Sequence, residues 1–126
     1  MATFSNLFQQ ISSLIKNQLF PPVVERSPEH QKLVDEQTKY LTLYHYPGCP
    51  YCVKVKKVIH QLSLKIELKD ARNNQEAKNE LINHGGKAQV PCLLIETPEG
   101  TSQWLYESNA INDLLKDRFT PTMAKN

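Results

Sequence analysis

At 126 residues the chain has the size of one ordinary domain, able to bury a core without metal or disulfide staples. Its 22% charged and 40% hydrophobic residues are those of a soluble globular protein, and eight Pro with four Gly argue against low complexity. A formal charge of +2, from 15 basic and 13 acidic residues spread along the chain, leaves no electrostatic footprint for nucleic acid.

Three cysteines, Cys49, Cys52 and Cys92, are too few and too odd in number for a disulfide framework, so a reducing compartment is expected. The N-terminus lacks a positively charged leader, and Asn, Gln and Ser interrupt its apolar residues every two or three positions; neither a signal peptide nor a spanning helix of roughly 20 apolar residues is expected. Phe4, Leu7, Phe8, Ile11, Leu14, Ile15, Leu19 and Phe20 are spaced by three or four, which predicts an amphipathic helix over 4–20, ended by Pro21-Pro22. With Lys16 as its one basic residue, this helix fits docking on the domain or a dimer partner at least as well as peripheral contact with a membrane surface.

Ser27-Pro28-Glu29-His30 reads as a capped helix start, predicting a short helix over about 28–37. Leu41-Thr42-Leu43-Tyr44-His45-Tyr46, closed by Pro47-Gly48, reads as a first strand. Val53, Val55, Val58, Ile59 and Leu62 give a helical face, and the alternation Leu64, Ile66, Leu68 a second strand. A further helix over 73–84, with Ala77, Leu81 and Ile82 inward, ends at Gly85-Gly86, where left-handed residues are wanted. Pro91 to Ile95 and Gln103 to Tyr106, joined by Thr97-Pro98-Glu99-Gly100, predict an antiparallel hairpin. Ser108 is expected to cap a last helix carrying Ile111, Leu114 and Leu115.

The order β-α-β-α-β-β-α predicts an α/β fold: a four-stranded mixed sheet, its first crossover parallel, with helices on both faces. The expected division is an N-terminal helical extension over 1–38, a domain over 39–119 and a tail over 120–126.

Cys49-Pro50-Tyr51-Cys52 stands directly after a strand and opens a helix, the arrangement of a thiol redox centre. Unpaired N–H groups and the positive end of the helix dipole stabilise a thiolate there, below the free-thiol value of about 8.5. Cys49 is then the nucleophile, and Cys52, one turn further in, the resolving thiol. Pro50 suits the helix start and Tyr51 stands at the rim. The alternative, half of a zinc site, lacks a second ligand pair: His45, His60, His84 and Cys92 are scattered singly, and no metal is expected. Lys54, Lys56 and Lys57 read first as a solvated face, His45 as a strand residue, and Cys92 as a core residue rather than a third redox thiol.

With Cys49-Pro50-Tyr51-Cys52, Val90-Pro91 and Glu107-Ser108 followed by Ile111 in register, residues 41–118 resemble glutaredoxins, of thioredoxin-like fold. Gly86 to Pro91 together with Tyr106 to Ile111 are similar to the N-terminal, glutathione-binding domain of glutathione S-transferases. The resemblance implies a cis Pro91, which exposes the Val90 backbone to a peptide-like substrate. It also implies glutathione as co-substrate, with Tyr51, Gln89, Val90, Pro91, Glu107 and Ser108 as its contacts. Ser108 and the helix N-terminus would receive the γ-glutamyl carboxylate, and Glu107 the ammonium.

The chain departs from that pattern at Tyr46, where glutaredoxins commonly carry Lys, which leaves Lys87 or Gln89 to meet the glycine-end carboxylate, and at Trp104-Leu105-Tyr106, which replaces a Gly-Gly. Arg26 to Gln31 resembles the leader of bacterial glutaredoxin-like proteins with an N-terminal extension. A full glutathione transferase is disfavoured by the length of the chain.

The expected activity is glutathione-dependent reduction of disulfide-bonded or glutathionylated proteins by a cytoplasmic monomer or weak dimer. The alternatives are a carrier of an iron–sulfur cluster ligated by Cys49 and glutathione, against which Cys52 argues, and a redox adaptor at the inner face of a membrane.

Overall fold

The structure, a computed structural model, describes residues 23–121, so the helix expected over 4–20 and the residues after 121 lie outside the described residues. Helix α1 spans Pro28–Thr38, started as the sequence demands: Ser27 Oγ accepts the His30 N–H at 3.2 Å and Pro28 fills the first turn, where no N–H is needed. Strand β1 covers Leu41–His45, with all five residues buried. Helix α2 covers Pro50–Gln61, and β2 covers Glu67–Asp70. Helix α3, Gln75–Glu80, is capped by Asn74, whose side chain accepts the Ala77 N–H at 2.9 Å. The hairpin strands are β3, Cys92–Glu96, and β4, Ser102–Leu105, and α4 is Ser108–Phe119.

The sheet runs β2-β1-β3-β4, with β1 and β2 parallel and the remaining pairs antiparallel, as the element order predicted. Because side chains alternate across a strand, β1 feeds two cores. Leu41 and Leu43 join Val55, Val58, Ile59, Ile111, Leu115 and Phe119 beneath α2 and α4. Tyr44 turns the other way, toward Ala71, Ala77, Leu81 and Cys92 under α3. Each fully buried aliphatic, such as Leu43 or Leu115, contributes about 1.5–3 kcal/mol.

Three expectations are corrected. The second strand begins at Glu67, not at Leu64: Leu64 and Ile66 are buried in the connection before it, and Leu68, within the strand, is 45% exposed at the sheet edge. The helix over 73–84 is regular only to Glu80; Leu81–Gly85 forms a wider π-turn in which Ile82 is exposed, closed by the Gly86 N–H on the carbonyls of Leu81 and Ile82 at 3.1 and 3.0 Å. Ser108 is the first residue of α4 rather than its cap. Glu107 holds the cap position and makes no side-chain capping bond.

The segment before α1 is fastened to the core by Arg26, whose guanidinium donates to the carbonyls of Leu62 and Phe119, each at 2.7 Å. Those carbonyls close α2 and α4, so one cation sits at the negative ends of two helix dipoles. Among the described residues no helix is long and apolar enough to cross a membrane.

Candidate active site

The chain leaves β1 through Tyr46-Pro47-Gly48, and Gly48, at φ +81°, takes the left-handed conformation that lets the backbone double back. The Cys49 N–H then donates to the Tyr46 carbonyl at 3.2 Å, and the Cys49 carbonyl accepts the first helical bond, from Val53 N–H at 2.9 Å. Cys49 is thus the residue that caps α2, extended at φ −70° and ψ 123°, with Pro50 inside the first turn. It is half-buried, Cys52 below it is fully buried, and Tyr51 projects at 62% exposure.

The two thiols are driven apart electrostatically. Burial opposes ionisation of Cys49, but the Cys52 N–H, the Cys52 thiol, the Tyr51 N–H and the Arg72 charge outweigh it and lower its pKa. Burial pushes Cys52 up to about 11, with the Cys49 bond and charge adding to the rise. The outer sulfur is therefore the more readily ionised of the two, and the inner one is held as a thiol by its burial.

The Val90–Pro91 peptide bond is cis, as the resemblance implied. Cys92, the next residue, is opposite Tyr44 on β1, and Leu93 is opposite Leu105 on β4. That register brings the cysteine turn, the cis peptide and the Glu107-Ser108 start of α4 to one end of the sheet. Gln89 and Glu107 are exposed there, Val90 is half-buried, and Pro91 and Ser108 are buried. The loop leading to Val90 is tied by Tyr106: its hydroxyl accepts the Lys87 N–H at 3.3 Å, and the Lys87 ammonium lies 5.5 Å from the centroid of its ring.

Cys92 is a core residue, its thiol pushed up to about 12 by burial. His45 is 9% exposed with no partner for Nδ1. Burial first and the Lys56 charge second lower its pKa, and Asp70 opposes them. The described residues contain no group of three or more His, Cys, Asp or Glu placed to hold a metal.

The residue that sequence reasoning missed is Arg72, exposed in the turn after β2. Its guanidinium lies 5.2 Å from the centroid of the Tyr46 ring and its charge favours the Cys49 thiolate. No local motif marks it, because the parallel pairing of β1 with β2 is what brings the two turns together.

No curated protein sequence matches the chain. Solved structures that resemble it include a mutant of a thioredoxin-like protein, 24% identical, with a TM-score of 0.50, covering 62% of this chain and 96% of that one. A glutathione transferase family member from Pseudomonas fluorescens is 22% identical, with a TM-score of 0.52, over 75% of this chain and 45% of that one. A sigma class glutathione transferase from Fasciola hepatica is 22% identical, with a TM-score of 0.51, over 64% of this chain and 37% of that one. The chain thus spans less than half the length of either transferase. Its fold is thioredoxin-like, and its residues 41–97 match the glutaredoxin family model.

Proposed function

We propose that the chain is a glutathione-dependent thiol–disulfide oxidoreductase that reduces protein disulfides and glutathione mixed disulfides in the cytoplasm. The observation that carries this reading is the split between a half-buried Cys49 with a lowered pKa and a buried Cys52 raised to about 11 on the same helix start. The Cys49 thiolate attacks one sulfur of the substrate; that S–S bond breaks, and the leaving thiolate departs with the electron pair and takes a proton from solvent. When the substrate is a glutathione mixed disulfide and the attack falls on its glutathione sulfur, the glutathione held on Cys49 is taken off by the thiolate of a second glutathione, which forms glutathione disulfide and regenerates the Cys49 thiolate. In the second route Cys52 displaces the bound thiol, and two glutathione molecules then reduce the Cys49–Cys52 disulfide.

In this proposal the backbone edge at Val90, before the cis Pro91, pairs with a peptide-like substrate. Gln89 and Tyr51, both exposed, flank that edge in the proposal, while Ser108 and the N–H groups at the start of α4 receive the γ-glutamyl carboxylate and Glu107 its ammonium. The Pseudomonas protein is described with two glutathione bound, which agrees with the same class of substrate.

The test is a glutathione-coupled assay on a small glutathione mixed disulfide, with Cys49→Ser and Cys52→Ser compared to the unaltered chain. Activity that survives Cys52→Ser and vanishes in Cys49→Ser is the expected result. Absence of activity in the unaltered chain, together with the visible absorption of a bound cluster, would replace this reading with cluster carriage.

A further inference from the structure

The turn after β2 is built to keep one cation in place. Asp70 Oδ1 accepts the N–H groups of Arg72 and Asn73 at 2.9 and 3.0 Å, its Oδ2 accepts Asn73 Nδ2 at 2.8 Å, and its carbonyl accepts the Asn74 N–H at 3.1 Å. Ala71 N–H, donating to the His45 carbonyl at 2.9 Å, ties the turn to the end of β1. From this support Arg72 reaches the face of Tyr46, whose own carbonyl holds the Cys49 N–H.

Among the described residues Arg72 has no carboxylate within 4.0 Å, and its guanidinium makes no hydrogen bond. An exposed guanidinium held by a ring on one side and a closed turn on the other, with its donors free, is preorganised to take a planar anion through two parallel N–H bonds. The other cations near the site are placed differently. Lys56 acts on Cys52, beneath the surface, and Lys87 lies on Tyr106.

We propose that Arg72, seated on Tyr46, receives a carboxylate of the disulfide substrate and thereby selects anionic disulfides over neutral and cationic ones at Cys49. This rests on the thiol–disulfide activity proposed above and adds a determinant of its specificity.

The experiment uses the full chain carrying Cys52→Ser, reduced and freed of reductant, so that the adduct stays on Cys49. Mass spectrometry follows the second-order rate of adduct formation with three disulfides: glutathione disulfide, which is anionic, hydroxyethyl disulfide, which is neutral, and cystamine, which is cationic. All three meet the same thiolate, so the ratio of rates at one pH cancels any change in Cys49 ionisation.

Arg72→Ala is expected to lower the ratio of glutathione disulfide to cystamine about tenfold, Arg72→Lys to restore part of it, and Arg72→Glu to lower it further. Lys57→Ala, on the exposed face of α2, is expected to leave it unchanged. An unchanged ratio in Arg72→Ala, or an equal fall in Lys57→Ala, overturns the assignment while leaving the oxidoreductase reading intact. A chain with Arg72 in place that reacts with none of the three disulfides overturns both.

Discussion

Arg26 donates to the backbone carbonyl of Phe119 at 2.7 Å, joining positions 93 residues apart in the chain. The same guanidinium holds the Leu62 carbonyl, and its charge faces the closing carbonyls of α2 and α4 together. Arg26→Ala is therefore expected to cost about 2–4 kcal/mol, since both acceptors lose a charged donor in partly buried surroundings. Arg26→Lys should recover less than half of this, because a single ammonium cannot reproduce the fork. Denaturant midpoints of the three chains decide the matter, and a loss under about 0.5 kcal/mol would mean that water replaces the guanidinium freely.

Alkylation by iodoacetamide reports the division between the active-site thiols. Cys49 is expected to react with a midpoint below the free-thiol value of about 8.5, while Cys52, raised to about 11, and the buried Cys92 stay unmodified at neutral pH. Site-resolved mass spectrometry over pH 5 to 10 (about the accessible range) gives the profile. Simultaneous labelling of Cys49 and Cys52 at pH 7 (near neutrality) would show that helix and burial do not separate them.

Cys92 makes the reduced fold sensitive to alkali. Its folded pKa, about 12, lies above the unfolded value of about 8.5, so the neutral thiol belongs to the folded state. Stability is fully present below the unfolded value and declines as pH rises toward the folded one, with a slope of up to about 1.4 kcal/mol per pH unit from this group. Cys52 and Tyr44, both raised by burial, act in the same sense. In Cys92→Ala the fall in chemical-denaturation stability with pH should be visibly shallower, whatever the absolute loss from the smaller side chain. An identical slope would assign alkaline unfolding to other groups.

Gly85 sits where a side chain has no room. A Cβ there would collide with the Tyr106 hydroxyl and approach Trp104 Cε3 to 2.9 Å. Gly85→Ala is expected to cost about 1–3 kcal/mol as overpacking. The combined Gly85→Ala, Tyr106→Phe chain should regain part of that loss. Thermal melting of the pair checks this, and no rescue would place the strain on Trp104 alone.

Much of the architecture was readable because the decisive signals are local. Ser27-Pro28 starts α1, Cys49-Pro50 opens α2, and Gly86, at φ +95°, ends the turn after α3. The errors arose where tertiary context overrode pattern. Leu64, Ile66 and Leu68 alternate like a strand, yet the first two are drawn into the core under α2 before pairing begins and the third lands on an exposed edge. Ser108 has the chemistry of a cap, but the chain turns into the helix one residue earlier, at Glu107. Arg72 was invisible for a related reason: its meaning depends on Tyr46, brought beside it by the sheet.

The depth difference between Cys49 and Cys52 imposes an order of events. In the proposed reaction an incoming disulfide meets the outer sulfur first, and the inner sulfur works only from below, on a bond already made. With the inner thiol removed and glutathione withheld, the proposed reaction stops at its first covalent step, with the partner held on Cys49. In that form the chain would serve as a reagent for recovering the disulfides that the proposed activity acts on, each bound through a linkage that mild reduction reverses.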